Sequence, residues 1–432
     1  MRLCGDCRAA EGVVHGKDGH GSQVSVFSTA AAADATAALS SFNRDTHASK
    51  VYLAGEEYLN DEGHTFVLPL VKKIKQQIFT DPTLFSENYS SSLGLTEFTR
   101  RATELALGTN SRAVLENRVL GVQTVGFTGA VRLGAELLRQ HWYGIGAAWC
   151  GPVYLSSPFE ASLASTFQAV GIQDVRQYYY WNDEQRGVGL EKLLEDLERA
   201  PEQSVVVLSA SAHFPTGADL SQKQWKVVGQ LMMRRSLLPF FLLPAQGLCY
   251  GDLERDAWPL QYFESLGMEL LCAQSFSLCF GLYGEHVGHL LCVLRQNSIL
   301  LAVQSQVEKL VRALWAQPSV GTARVIATVL SNPAHLSEWQ DEVKHIVERC
   351  MLIRERLRER LRILGSPGCW DHLTQQGGLY SCTGLNGQQV QFLSKRRHIY
   401  LLPNGCLNVS AINSHNLSYV AQSIHEALTS PV

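Results

Sequence analysis

The sequence predicts an α/β protein, with a large and mostly parallel sheet flanked by helices and a smaller α+β domain beside it. Continuous apolar runs recur between residues 204 and 294, and such runs are typical of strands buried on both faces of a parallel sheet. Amphipathic segments with helical spacing separate these runs. The alternation of the two patterns indicates α/β architecture.

The elements of the large domain follow one another between residues 68 and 330. Helices are predicted where apolar residues recur at helical spacing or follow a cap signal, and strands where the apolar run is short and continuous. The predicted helices are 129–143, 190–200 and the segment after the Ser221 cap, and the predicted strands are 153–157, 204–210, 238–243, 269–274 and 289–294.

The two ends of the chain show different patterns. Residues 1–24 are rich in glycine and poor in apolar residues, and we expect a disordered tail. Residues 331–432 predict a long connecting helix, with a coiled-coil arm as the alternative, followed by a small α+β domain. Residues 25–67 are expected to complete that small domain.

Composition excludes several classes of partner. A net charge of −3 and a pI near 6.5 favour neither nucleic acid nor an anionic membrane surface, and no apolar run is long enough to span a bilayer. Eleven cysteines without dense pairing favour a reducing compartment, which predicts a cytoplasmic protein. Cys4 and Cys7 form a CxxC without a second ligand pair at zinc spacing, so no metal site is expected.

Six separate strings point to one family. The strings are VGFTGAVRLGAE, SAHFPTGADLSQKQW, GDLERDAWPLQYF, CAQSFSLCFGLY, RALWAQPSVGTARV and HIYLLPNG. With these strings following one another in this order, the chain resembles the cytosolic aspartate aminotransferases from about residue 50 onward. The resemblance implies a fold type I pyridoxal-phosphate (PLP) transferase with a seven-stranded sheet, PLP as cofactor, transamination between L-aspartate and 2-oxoglutarate, and a homodimer with shared active sites.

The two residues most important for that chemistry are replaced. Such enzymes need a lysine that forms an imine with the cofactor aldehyde and an aspartate that keeps the pyridine nitrogen protonated. The resemblance aligns Leu278, in SFSLCFG, with the lysine, and Leu242, in PFFLLPAQG, with the aspartate. A leucine has no nitrogen, so covalent binding of PLP is predicted to be absent and no catalytic residue is intact.

Further positions of the family pocket also depart from the pattern. Hydrogen-bonding or cationic groups give way to Ala245, Phe214, His286 and Cys406, and the substitutions Glu56, Glu160 and Phe127 replace small or aromatic residues. His286 and Cys406 stand at arginine positions. The pocket is therefore predicted to be more negative than a site for a phosphate and a dicarboxylate. We expect Leu242, Phe214 and Leu278 to fill the vacated space, giving a collapsed apolar pocket.

Some positions do match the family. Thr128 and Ser275, with Tyr89 and His286, are candidates for a weak phosphate site, and Arg312 is the candidate for substrate binding. The resemblance implies that Tyr89 and Arg312 serve the neighbouring subunit's site. They suggest a heterodimer with an active aspartate aminotransferase, although a role in holding the interface is the simpler interpretation.

Four functions follow as hypotheses. The first is a dimeric pseudoenzyme, and the second an active transaminase with an unusual site. The third is a protein that binds PLP or another phosphate ligand noncovalently, and the fourth a noncatalytic subunit of an active paralogue. Two minor alternatives are Cys279 as a nucleophile and a metal site formed by His286, His289, Cys279 and Cys292.

Overall fold

A seven-stranded sheet lies at the centre of the computed structural model, which describes residues 37–81, 83, 90–141, 149 and 151–430. The predicted tail 1–24 lies outside the described residues. The strands are β1 (Val51–Tyr52), β2 (Val119–Val125), β3 (Val153–Ser157), β4 (Val175–Tyr179), β5 (Trp181–Asn182), β6 (Gly187–Val188), β7 (Val205–Ser209), β8 (Leu238–Leu243), β9 (Leu270–Ser275), β10 (Val287–Val293), β11 (Tyr380–Cys382), β12 (Ile399–Tyr400) and β13 (Cys406–Asn408).

Helices surround this sheet and form most of the chain after β10. They are α1 (Ala37–Arg44), α2 (Pro69–Thr80), α3 (Thr96–Leu107), α4 (Arg112–Leu115), α5 (Gly126–His141), α6 (Ala161–Ala169), α7 (Leu190–Arg199), α8 (Gln222–Arg234), α9 (Leu253–Ser265), α10 (Leu300–Leu314), α11 (Gly321–Ser331), α12 (Pro333–Ile363), α13 (His372–Gln375), α14 (Gly387–Arg397) and α15 (Leu417–Thr429). No helix in the described ranges is long and apolar enough to cross a membrane.

The large sheet has the strand order β2-β10-β9-β8-β7-β3-β4. Every neighbouring pair from β9 through β8, β7 and β3 to β4 is parallel, whereas β10 is antiparallel to both β9 and β2. The predicted α/β class and mostly parallel sheet are confirmed. The strands between 204 and 294 lie within one or two residues of their predicted bounds.

The sheet is buried on both faces, which explains its continuous apolar runs. Successive residues of a strand point to opposite faces. Phe240 of β8 packs on one side against Phe167, with ring centroids 6.0 Å apart, and Phe241 packs on the other against Phe263 at 5.1 Å. Because neither face of the sheet is exposed to solvent, the strand does not alternate polar and apolar residues, and both of these positions are aromatic.

The C-terminal third is organised around α12, which has 31 residues. Asn332 caps its first turn, and Leu357 and Leu361, four residues apart, are buried. The short strand β1 pairs in parallel with β12 through Val51 and Ile399, which connects the beginning of the described chain to its end. The domain boundaries 25–67, 68–330 and 331–432 stay predictions.

Candidate functional site

A cavity of about 630 Å³ opens at the carboxyl ends of the parallel strands. Its walls come from the residues that follow β2, β3, β7, β8 and β9, together with Glu56, Glu57 and the segment Gly378–Tyr380. Loops at this edge of an open α/β sheet are the usual place for ligands, because they diverge there and leave a crevice. This cavity is the candidate site.

Leu278 and Leu242 both line the cavity. Leu242 is paired with Ser209 of β7 and Ala273 of β9 in the parallel register, so the groups beside it in the sheet are a hydroxyl and a methyl. Leu278 lies in a tight turn after β9, in which Leu282 N donates to Ser277 O at 2.8 Å. The turn holds the aliphatic side chain of Leu278 at the cavity wall.

The candidate phosphate residues Thr128, Ser275 and His286 also line the cavity. Ser275 is buried, whereas Thr128 and His286 are exposed. Helix α5 begins at Gly126 and opens onto the cavity with its N-terminus, where free backbone N–H groups attract anions. Gly126 has a φ of +70°, which favours glycine at this turn. Part of an anion cradle is thus in place.

Of the two residues that the resemblance relates to the neighbouring subunit, the structure describes only Arg312. Tyr89 lies outside the described residues. Arg312, in the last turn of α10, is not among the residues that line the cavity of its own chain. Its guanidinium is exposed and lies 3.8 Å from Glu308. Roles for both residues stay predictions.

Three carboxylates and no lysine or arginine line the described cavity. Burial, together with the nearby charges of Glu160 and Glu57, raises the pKa of Glu56. Burial, together with the same carboxylates, raises the pKa of Tyr380, whose hydroxyl donates to the carbonyl of Gly55. The electrostatic environment therefore favours a cation over an anion, opposing the N-terminus of α5.

Lys75 of α2 forms an ion pair with Glu285, the residue before the cavity-lining His286. Glu285 also accepts a hydrogen bond from Thr322 at 2.7 Å. Lys75 does not line the cavity. Its amino group is used to hold the loop before β10.

The predicted collapse of the pocket is wrong. Phe214 is held aside because its ring packs edge-on against Tyr380, with centroids 4.7 Å apart. Leu242 and Leu278 are partly buried, and each packs against a different hydrophobic cluster. The substitutions change the chemistry of the walls but leave a ligand-sized space.

A buried histidine that the sequence analysis did not single out lies beside the cavity. His213 contacts Ser156 through Nε2 and Thr216 through Nδ1, each at 2.8 Å, and stacks on Tyr180. Burial lowers the pKa of His213 to about 3. The only advance signal was a histidine in the string SAHFPTG.

The directions of these hydrogen bonds show that Ser156 is not an activated nucleophile. Ser156 Oγ donates its one proton to the carbonyl of Pro158, so it accepts from His213, which places the proton of the neutral ring on Nε2 and leaves Nδ1 to accept from Thr216 Oγ1. A base would have to accept from the serine instead.

The minor alternatives find no support in this geometry. Cys279 is fully buried, and burial raises the pKa of its thiol to about 12, the opposite of what a nucleophile needs. His289 Nδ1 is bonded to Gln274 Oε1 at 2.7 Å. Across the described ranges, no group of three or more histidine, cysteine or acidic side chains is placed to hold a metal.

Comparison with known proteins shows which protein family this chain is similar to. Residues 48–424 match the family described as aminotransferase class I and II. The cytoplasmic aspartate aminotransferase of Gallus gallus is 46% identical over 90% of this chain and 94% of its own length. That of Caenorhabditis elegans is 39% identical over 89% and 92%.

A solved structure shows the same likeness in three dimensions. It is the aromatic-amino-acid aminotransferase of Burkholderia pseudomallei covalently bound to pyridoxal phosphate. The TM-score is 0.89 at 28% identity, and the match covers 94% of this chain and 100% of the other. The likeness thus extends over nearly all of the chain.

Proposed function

The chain belongs to the class I and II aminotransferase family and resembles the aspartate aminotransferases, and from that premise we propose that it is a dimeric pseudoenzyme. It keeps the fold and the cavity of its relatives without their imine chemistry. The observation that carries this proposal is the lining of the cavity: Leu278 and Leu242 occupy the walls, and none of the described residues that line it is a lysine.

The cofactor that the family implies, pyridoxal phosphate, does not fit this lining. An imine needs a neutral amine within reach of the aldehyde, and a protonated pyridine nitrogen needs a carboxylate beside it. Ser209 and Ala273 flank Leu242 in the sheet and supply neither. The α5 N-terminus, Thr128 and Ser275 could still contact a phosphate, but the three carboxylates oppose it.

The cytoplasm and a homodimer complete the proposal. Both relatives are named as cytoplasmic enzymes, which supports the same compartment for this chain. The exposed Arg312, placed away from its own cavity, supports a second candidate function as the noncatalytic subunit of an active aspartate aminotransferase. Co-expression with such an enzyme and native mass measurement tests this candidate, and a lack of mixed dimers would reject it.

Borohydride fixation tests the central proposal. The purified full chain is mixed with pyridoxal phosphate, dialysed and reduced, and the modified peptides are mapped beside the chicken cytoplasmic enzyme as a positive control. We expect no stoichiometric adduct in the cavity and no transamination of aspartate with 2-oxoglutarate. A stoichiometric adduct on a lysine, or turnover above that of a heat-denatured sample, would contradict the proposal.

A further inference from the structure

Two cysteines face each other across the small antiparallel sheet beside the cavity. Cys382 of β11 is directly opposite Cys406 of β13. The backbone N–H of Cys382 donates to Gln376 and Thr216, and that of Cys406 to Asn404, so neither bonds across the pair. Cα atoms of such non-hydrogen-bonded pairs lie about 4.5 Å apart, within the range that a disulfide spans.

The two thiols are also in contact with each other. They lie in a small buried cluster with Trp181 and Ala218, and Cys382 and Cys406 are 5% and 0% exposed. A hydrogen bond with Cys406 lowers the pKa of Cys382, and the same bond raises the pKa of Cys406. Cys382 is therefore the thiol that ionises first, with Cys406 as the donor beside it.

The large sheet provides a contrasting pair. Cys272 of β9 is opposite Leu291, and Cys292 of β10 is opposite Leu271. Each cysteine is thus opposite the residue next to the other cysteine, so their side chains lie on opposite faces of the sheet, in different hydrophobic clusters. These two cysteines are near in the sheet but cannot form a bond.

We propose that Cys382 and Cys406 form a reversible disulfide when the protein is exposed to hydrogen peroxide. The Cys382 thiolate attacks one peroxide oxygen, the O–O bond breaks, and a sulfenic acid forms on Cys382 while the other oxygen leaves as water after taking up a proton. The Cys406 sulfur then attacks the Cys382 sulfur. The S–O bond breaks, the thiol proton leaves with the hydroxyl as a second water, and two thiols have been oxidised by one peroxide.

The bond would act on a wall of the cavity. Tyr380, two residues before Cys382 on β11, lines the cavity and packs against Phe214. A disulfide would tie β11 to β13 at the far end of the strand from Tyr380. The oxidation state of the pair thereby sets how firmly this wall is held, whether or not the cavity has lost its imine chemistry.

Peptide mapping of the full-length wild-type protein tests the proposal. The protein is treated with hydrogen peroxide, its free thiols are alkylated, and digests are compared with and without reduction. We expect a peptide joining Cys382 to Cys406 that is lighter by two hydrogen atoms and disappears with dithiothreitol. The oxidised protein should also melt at a higher temperature than the reduced protein.

Internal controls make the result decisive. Cys369, which is exposed, reports that the oxidant has acted, and Cys272 and Cys292 should remain unlinked. In Cys406→Ser, a dimedone probe should trap a sulfenic acid on Cys382, since no second thiol resolves it. Oxidation of Cys369 without the 382–406 link in the wild type, or a link between other pairs instead, would overturn the proposal.

Discussion

Leu278 and Leu242 line one cavity from the carboxyl ends of two adjacent parallel strands, β9 and β8. The resemblance aligns them with the lysine and the aspartate that act on opposite ends of the cofactor ring in the family. Both positions are aliphatic here, and both line the same cavity. Restoring one of the two groups is therefore informative.

Leu278→Lys is expected to place an amine in the cavity. Glu56, Glu57 and Glu160 favour its charged form, so imine formation with pyridoxal phosphate should be weak near neutral pH and increase as pH rises. Borohydride fixation followed by peptide mapping should locate the adduct at residue 278. Leu301→Lys is the matched control, because Leu301 is 77% exposed. Equal labelling at 301 and 278 would show that the cavity contributes nothing.

Ser156 is expected not to react with a fluorophosphonate probe for active serines. Its hydroxyl donates to Pro158 O and accepts from His213 Nε2, so no base is available to remove its proton. A known serine hydrolase in the same tube serves as the positive control. Labelling of Ser156 in the native protein, lost in Ser156→Ala, would show that the serine donates its proton to His213 instead of to Pro158.

The buried histidine is expected to make the protein sensitive to acid. The pKa of His213 is about 3 in the folded protein against 6.5 in the unfolded chain, so below pH 6.5 the unfolded state binds a proton that the folded state does not. This group then lowers the free energy of unfolding by about 1.4 kcal/mol per pH unit between pH 6.5 and about 3. Urea titrations at several pH values measure the slope.

His213→Gln should reduce that slope by about the same 1.4 kcal/mol per pH unit. His289, whose pKa burial also lowers to about 3, leaves a residual dependence in the variant. His64→Gln at an exposed position is the control and should retain the wild-type slope. Identical slopes for wild type and His213→Gln would show that His213 is not held neutral.

Arg354→Met is expected to lower the free energy of unfolding by about 3 kcal/mol or more. The buried guanidinium donates to the carbonyls of Leu373, Gly377, Gly378 and Tyr380 at 2.6–3.3 Å. Methionine would leave these buried acceptors unsatisfied. Arg356→Met, at an exposed position on the same helix, should change stability by less than about 0.5 kcal/mol. Similar denaturant midpoints for the two variants would rule out this anchoring role.

The sequence alone predicted the features that depend on local pattern. Doubly buried strands such as 238–243 have a continuous apolar signature, and the Ser221 cap before α8 is a four-residue signal that the structure shows as a complete capping box. The resemblance could align Leu278 with the family's lysine because Leu278 lies within the string SFSLCFG.

Features that depend on contacts between distant parts of the chain could not be read. Ser156 and His213 are 57 positions apart and meet only because β3 and β7 are neighbours. The sequence predicted a collapsed pocket because it gave no sign that the ring of Phe214 packs against Tyr380, which comes from the C-terminal third of the chain. Neither contact leaves a periodic signal, since each joins single residues of separate elements.

The apolar side chains of the cavity wall bear on how the level of this protein depends on vitamin B6. Leu242 and Leu278 pack against hydrophobic clusters of the chain, and Phe214 packs against Tyr380. On the proposed function, this wall offers no amine for the coenzyme to bond, so the chain matures without it. Its level in vitamin B6-starved cells should therefore hold steady while that of coenzyme-requiring aminotransferases falls.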